Sequence, residues 1–338
     1  MPQAASAPGS TIDVSVRLGR LPLPNPVLVA SGTFGYAREM EAFVDLSRLG
    51  GILPKTVTSE ARAGNAPWRT VETASGMLNA IGLDNDGVEA FIAHHLPYLR
   101  GVGAPIVVSV AGSTHDDFVG LCRRLGEVEG PAAVELNISC PNVSHGVDFG
   151  VDPAMCERLV ADCRAACHLP IIAKLTPNVT SIATMARAAQ AGGADALSVI
   201  NTVLGMAVDW RNRRPVLANG VGGLSGPAIK PIALRCVWQA STATGGMPII
   251  GVGGIQTIDD VMEFLVAGAS AVQLGTVNFY RPTVSMEVLD ALPGALAELG
   301  AASVRGTVGT LNKASASEPS PPSPAGGGQF RTTERGGG

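Results

Sequence analysis

The sequence predicts one α/β domain, a (β/α)8 or TIM barrel, on three observations. Eight short runs rich in Val, Ile, Leu and Ala recur along the 338 residues, and stretches of helical period fill the gaps between them. No G-x-G-x-x-G turn follows the first run, so the rival architecture, an open doubly wound sheet, lacks its usual mark. Runs that are apolar throughout suit parallel strands covered on both faces, and eight βα pairs in succession close a barrel.

In order, the runs are P-V-L-V-A (26–30), G-I-L-P-K (51–55), P-I-V-V-S-V (105–110), A-V-E-L-N-I (133–138), P-I-I-A-K-L (170–175), A-L-S-V-I-N (196–201), P-I-I-G-V-G (248–253) and A-V-Q-L-G (271–275). Helical segments are expected at 38–48, 87–99, 115–128, 153–167, 180–191, 228–243, 257–267 and 283–299. Ser113 with Thr114, Asp152 before Pro153, and Thr257 each precede an apolar period, where a side-chain oxygen can take up the unpaired N–H groups of a helix start. Two gaps, 56–86 and 202–227, are too long for one helix, and long loops in compact domains are usually functional. The barrel is expected over 11–313. Residues 1–10 and 314–338 are expected to be disordered tails; the second, A-S-A-S-E-P-S-P-P-S-P-A-G-G-G onward, has too little apolar surface to order itself.

Hydrophobic residues make up 46% of the chain, charged ones 15% and aromatics 4%, the profile of a globular protein with an aliphatic core. A formal net charge of −4 without long single-sign runs gives no footprint for nucleic acid. No leader of basic then apolar character opens the chain, and no run reaches the roughly 18 apolar residues of a membrane span. The six cysteines, at 122, 140, 156, 163, 167 and 236, are scattered, which fits a reducing cytoplasm rather than a disulfide framework. Cys163, Cys167 and His168 raise the question of a metal, but no second ligand pair follows at zinc spacing and a helix face explains the pair of thiols.

In such a barrel the carboxyl ends of the strands and the loops after them build the active site. Those positions carry Ser31, Lys55 with Thr56, Ser109, Asn137 to Asn142, Lys174, Asn201 with Thr202, Gly253 with Gly254, and Gly275 with Thr276. Arginines outnumber lysines twenty to four, yet two of the lysines, Lys55 and Lys174, close buried-type strands. A lysine there offers a compact charge for an anionic ring or a carboxylate; the plainer alternative is a buried lysine paired with a neighbour such as Glu135. The glycines of G-V-G-G (251–254), G-T (275–276) and N-G-V-G-G-L-S-G (219–226) let the main chain approach an anion at the corner where these barrels commonly hold phosphate. E-L-N-I-S-C-P-N (135–142) begins as a strand and turns polar at its end, with Pro141 restricting Cys140. Together with N-A-I-G-L-D-N (79–85) and Asn201 it supplies amides suited to the edge of a polar, uncharged ring of pyrimidine type. Cys140 is then a nucleophile, a base or a small buried hydrophobe.

These segments, with A-S-G-T-F-G-Y (30–36), K-T-V-T (55–58), K-L-T-P-N (174–178), V-I-N-T (199–202) and G-G-L-S-G-P-A-I-K-P (222–231), resemble the catalytic subunit of class 1 dihydroorotate dehydrogenases over about residues 12–312. The resemblance implies FMN in the barrel mouth, its phosphate near Gly226, Gly253, Gly254, Gly275 and Thr276. It implies Ser31, Lys55, Thr56, Ser109, Asn137, Lys174 and Ile200 around the ring system and ribityl chain. Substrate is implied among Lys55, Asn79, Ala80, Ile81, Gly82, Leu83, Asn137, Asn142, Asn201 and Thr202, with Cys140 removing a proton from C5 of dihydroorotate while hydride leaves C6 for the flavin. Cysteine rather than serine at this point resembles the soluble class, and S-G-T-F-G-Y resembles the NAD-linked subclass. That subclass implies a homodimeric core joined to a second subunit bearing FAD and a [2Fe–2S] cluster in a heterotetramer, and no membrane or nucleic-acid partner.

Two departures stand out: Ser109 replaces an expected asparagine, and Ala37 replaces the glycine usual after F-G-Y. Competing expectations are a related FMN barrel acting on dihydrouracil-type pyrimidines, a fumarate-linked class 1 enzyme, a tRNA-reducing flavin barrel, and a non-catalytic flavin-binding scaffold. The acidic balance disfavours the tRNA enzyme, and the retained thiol, lysines and amides disfavour the scaffold. His94 and His95 are expected to serve a helix surface or helix packing, and His145 follows the cysteine in its loop, where it could touch substrate.

Overall fold

A computed structural model describes residues 12–139 and 149–311. The expected tails, together with Cys140, Asn142 and His145, lie outside the described residues. Eight parallel strands close into a barrel in chain order: β1 (Val27–Val29), β2 (Gly51–Ile52), β3 (Ile106–Val110), β4 (Pro131–Asn137), β5 (Ile171–Leu175), β6 (Ala196–Val199), β7 (Ile249–Val252) and β8 (Ala271–Leu274). The ring is completed by β8 against β1, where Val272, Gln273 and Leu274 stand opposite Val27, Leu28 and Val29. Seven strands fall within their expected runs and β4 starts two residues before its run, at Pro131; the runs are apolar on both phases because one phase faces the helices and the other fills the barrel.

Seven of the eight expected helices form. α1 runs through Val88–Ala90, a π-helical turn at Phe91–His95 and Leu96–Val102. It is followed by α2 (His115–Gly126), α3 (Pro153–Ala166), α4 (Ile182–Ala191), α5 (Lys230–Thr244), α6 (Ile258–Ala267) and α7 (Val284–Glu298). The start signals act as expected. Thr114 accepts from the N–H of Asp117, whose carboxylate returns to the Thr114 N–H; Thr257 and Asp260 make the same reciprocal cap; and Asp152 accepts from the N–H of Met155.

The expected helix at 38–48 does not form, and two 3-10 turns, Arg38–Met40 and Leu46–Arg48, stand in its place. Local side chains outcompete the helix here: Glu39 turns back to accept from the N–H of Tyr36, and Asp45 accepts from both the N–H and the hydroxyl of Ser47. Ala37, in the glycine position noted above, takes φ 70 with its methyl fully buried. A left-handed alanine costs about 1 kcal/mol and burial of its methyl returns about 0.8 kcal/mol, so the two effects nearly offset and alanine is tolerated.

The lower barrel is apolar. Leu28, Val107, Ala133, Ile172, Ala196, Ile250 and Ala271 point inward and pack with Leu18, Leu21 and Leu23 of a hairpin (Val16–Leu18 with Leu21–Leu23) that plugs the amino-terminal end. Arg20 of that hairpin clasps Asp195 with two hydrogen bonds of 2.8 and 2.9 Å and also donates to the carbonyls of His168 and Leu169. At the opposite end the two long gaps meet. Thr70–Thr73 and Gly76–Asn79 from the first pair with Gly222–Ser225 and Val203–Gly205 from the second in a four-stranded antiparallel cap.

Cys122 of α2 and Cys163 of α3 lie fully buried in the layer between sheet and helices. Their mutual hydrogen bond, and then burial, push the Cys122 thiol well above its ordinary range, so this pair is packing rather than chemistry. Among the described residues no group of three His, Cys, Asp or Glu side chains is arranged to hold a metal, and no helix is long and apolar enough to cross a membrane. The tightness of the outer layer gives a test. A methyl added at Gly251 of β7 would lie 2.4 Å from Cδ1 of the buried Phe264, so Gly251→Ala should destabilise the fold by about 1–3 kcal/mol, read as a lower denaturation midpoint with unchanged slope.

Candidate active site

Above the apolar layers the barrel interior turns polar. Ser109, Glu135, Ser198 and Gln273 are fully buried, and Lys174 nearly so. The alternation that aims Val107, Ala133, Ile172, Ala196 and Ala271 inward aims the residues two positions further on inward as well, so this layer follows from strand geometry. Ser198 Oγ and Gln273 Nε2 donate to Glu135 Oε2 at 2.6 and 2.8 Å, and Lys174 Nζ lies 3.4 Å from Glu135 Oε1. The structure thus gives Lys174 the ion-pair neighbour Glu135 that the plainer alternative names. Ser109 Oγ and Thr56 Oγ1 are 3.0 Å apart, so the serine found in place of asparagine is held against the second strand's end.

The mouth over this layer is lined by the strand ends. Asn201 Nδ2 donates to Asn137 Oδ1 at 3.0 Å, joining the ends of β4 and β6, and the N–H of Thr202 is held by Asn201 Oδ1 at 2.9 Å. Ser139, the residue before the undescribed segment, donates to the Lys174 carbonyl and ties the exit of β4 to β5. Lys55 is half-buried, and its N–H bonds the carbonyl of Gly35, which brings the loop after β1 beside the end of β2. Ile200 is buried with its N–H on the carbonyl of Val252. Ser31 lies half-buried in the turn after β1.

Residues 79–83 cross the mouth as part of the cap. Asn79 donates to the Gly223 carbonyl at 3.2 Å, and the N–H of Ala80 bonds the carbonyl of Arg69. Asn65 grips the segment twice, with its N–H on Ile81 O and its side chain on Ala80 O. Gly82 at φ 81 and Leu83 at φ 59 make a left-handed turn; a side chain at Gly82 would strike Asn65 at 2.7 Å. Gly223 has no room either, since a Cβ there would lie 2.0 Å from Thr202 Oγ1. Asn79 and Thr202, 123 residues apart in sequence, thus converge through the backbone of Gly223.

The glycine stretches form a separate corner. A Cβ on Gly254 would sit 2.9 Å from the Gly226 carbonyl oxygen and 3.0 Å from the N–H nitrogen of Lys230, at the start of α5. A Cβ on Gly226, at φ 92, would reach Gly76 Cα at 2.8 Å and Thr276 at 3.7 Å. Thr276 Oγ1 donates to Ser225 Oγ at 2.8 Å. Gly226, Gly254 and Thr276 are thus gathered at one helix start; Gly253, at φ 136, packs against Ala233 and Ile229 of the same corner, and Gly275 adjoins Ala30. Lys230 does not contribute its charge to this corner, because its Nζ is taken by Asp260 at 2.6 Å and Glu263 at 2.9 Å.

Several participants escaped the sequence reading. Ser198 and Gln273 were legible only as polar letters in the inward phase of otherwise apolar strands. Asn65 carried no signal beyond its place in a long loop. Asn178, within K-L-T-P-N, donates to the Thr202 carbonyl and accepts from the N–H of Leu204, bridging the loops after β5 and β6. His95 does serve packing, stacking on Tyr36 at 3.5 Å between ring centroids, and it also pairs with Asp86 at 3.1 Å.

A glycine-lined corner and bonded amides meet at the carboxyl ends of the strands, above a buried lysine and carboxylate, which is where (β/α)8 enzymes carry their active sites. A family model described as dihydroorotate dehydrogenase matches residues 14–296. The chain is 50% identical over 293 residues to a Listeria innocua protein named dihydroorotate dehydrogenase B (NAD(+)), catalytic subunit, covering 86% of this chain and 96% of that one. Proteins of the same name from Pelobacter propionicus and Trichlorobacter lovleyi are 51% identical over 300 residues and 50% over 299, each covering 88% of this chain and 98% of the relative. The chain belongs to the dihydroorotate dehydrogenase family.

The glycine corner depends on Asp260 to hold α5 against α6. Burial pushes its carboxyl up, but hydrogen bonds from Lys230 and from the N–H groups of Gln256 and Thr257 outweigh burial and leave it below the ordinary range. A carboxyl depressed in the fold gives stability that is present above its unfolded value of about 4 and is lost as pH falls through the lower folded value. Asp260→Asn should therefore cost about 1–3 kcal/mol at neutral pH and progressively less toward pH 3, in paired denaturant titrations of mutant and parent.

Proposed function

We propose that this chain oxidises dihydroorotate to orotate in pyrimidine biosynthesis with FMN as its resident cofactor, and that its electrons pass to NAD+ through a partner subunit. The observation that carries the reading is the convergence of the glycine corner, the amide ring and two lysines at one barrel mouth, in a chain that is half identical to relatives of that name. The glycines at 226 and 254 let the loops after β6 and β7 close on one another and on the start of α5, since a side chain at either would strike backbone atoms, and a helix start with glycine N–H groups beside it suits a phosphate. With Lys230 neutralised, backbone N–H groups and the Ser225 hydroxyl, which accepts from Thr276, are the donors on offer.

FMN, when bound, supplies the hydride acceptor. Gly226, Gly253, Gly254, Gly275 and Thr276 would hold its phosphate, and Ser31, Lys55, Thr56, Ser109, Asn137, Lys174 and Ile200 would surround the rest. Lys55 offers a charge for the substrate carboxylate. Asn79 to Leu83, Asn137, Asn142, Asn201 and Thr202 would fix the ring by its amide edges, and the bonds that already orient Asn79 and Asn201 mean little ordering is left to do on binding. Cys140 takes the proton from C5: a free thiol has a pKa of roughly 8.5, near enough to working pH for a general base.

Exposed Trp68, Leu204, Met206, Val208 and Trp210 on the cap and its neighbouring hairpin form an apolar surface that supports association, in keeping with a homodimer joined by a subunit carrying FAD and a [2Fe–2S] cluster. Buried free cysteines agree with a reducing cytoplasm.

The purified chain should carry a yellow flavin spectrum that bleaches when dihydroorotate is added without oxygen, and the bleached protein should stay reduced with fumarate. Turnover of dihydrouracil equal to that of dihydroorotate would refute the substrate. Cys140→Ala should retain flavin and slow bleaching about 100-fold or more. Gly254→Ala, whose methyl meets the Gly226 carbonyl and the start of α5, should give a folded but colourless protein.

A further inference from the structure

Glu135 is buried without any exposed surface on β4, and its carboxylate lies at the centre of the barrel. Oε2 receives two neutral donors of the layer, Ser198 Oγ and Gln273 Nε2. Oε1 has no hydrogen-bond partner and faces Lys174 Nζ at 3.4 Å, beyond the roughly 2.7–2.9 Å of a charge-assisted hydrogen bond. The ammonium is thus attracted by the carboxylate without being tethered to it, and among the described residues it donates no hydrogen bond. Among the described residues Glu135 is the one ion-pair partner of Lys174; the adjoining strands present it with Asn137 and Ser198, which are uncharged.

Stability does not account for such a pair. Desolvating two charges in a barrel core costs as much as their attraction returns, and apolar replacements of equal volume often do better. We propose that Glu135 is a positioning residue that sets how much positive charge Lys174 presents to the flavin, acting through the buried pair without touching flavin or substrate. The inference rests on the reading that the flavin lies over Lys174.

The test is the midpoint potential of bound FMN in the holoenzyme, measured spectroelectrochemically at about pH 6 so that an aliphatic amine stays protonated. Glu135→Gln keeps the shape of the layer, since Ser198 Oγ and the unpartnered Gln273 Oε1 can both accept from the new amide. It should raise the midpoint by at least tenfold in the ratio of reduced to oxidised flavin at fixed poise, about 30 mV for a two-electron couple. In a Lys174→Gln background the same change should give less than half that shift, because the two residues act as a pair. Ser198→Ala, which removes a donor from Oε2 and throws the carboxylate's charge onto Lys174, should lower the midpoint and serves if Glu135→Gln does not fold. An unmoved or lowered midpoint in Glu135→Gln, an equal shift in both backgrounds, or no change in Ser198→Ala would overturn the proposal. If Lys174→Gln alone leaves the midpoint unchanged, the position of the flavin is wrong and the proposal falls with it; a shift in Lys174→Gln without one in Glu135→Gln sinks the proposal alone.

Discussion

The hydrogen bonds that join β8 to β1 turn a row of eight strands into a ring, and in a ring every inward side chain must fit those of all the other strands at its height. From that follow an apolar lower barrel, sealed by the hairpin around Leu18 and Leu21, and a polar layer above it that water does not reach. Closure also brings all eight strand ends to one rim, so that residues as distant as Lys55 and Thr276 are candidates for one site. An open sheet of the same strands would have spread them along a crevice.

Much of this was legible in the sequence because the physics is local. Doubly covered strands must be apolar on both phases, helix starts need an oxygen on Thr114, Asp152 or Thr257, and glycines are required where Gly226 and Gly254 approach other backbone. The helix expected at 38–48 gives way because the carboxylates of Glu39 and Asp45 capture nearby N–H groups before a helix can. Long-range partners were the other blind spot. Nothing within a few residues of Gln273 or Asn65 announces Glu135 or Ala80 as its partner, and the Lys174–Glu135 pair could be named only as one possibility among others.

The electrostatics of the mouth are economical in charge. Lys230, next to the glycine corner, is spent on Asp260 and Glu263, and Lys174 faces Glu135. Beside Lys55, what remains is directional: glycine N–H groups, hydroxyls and amides, several of them fixed by bonds among themselves. Groups already oriented need not reorganise when charge develops, which is the usual source of rate enhancement in dry sites.

The cap over the mouth is woven from two loops separated by more than a hundred residues, with Gly76–Asn79 lying between its neighbour in sequence and Gly222–Ser225. During synthesis, therefore, the hairpin at 70–79 leaves the ribosome long before the strand that covers its free edge exists. It must wait, edge open, until the sixth βα unit has been made. The binding cleft is thus a late product of folding, assembled only after most of the ring beneath it, and a nascent chain stalled before residue 222 would own the scaffold of an enzyme without its doorway.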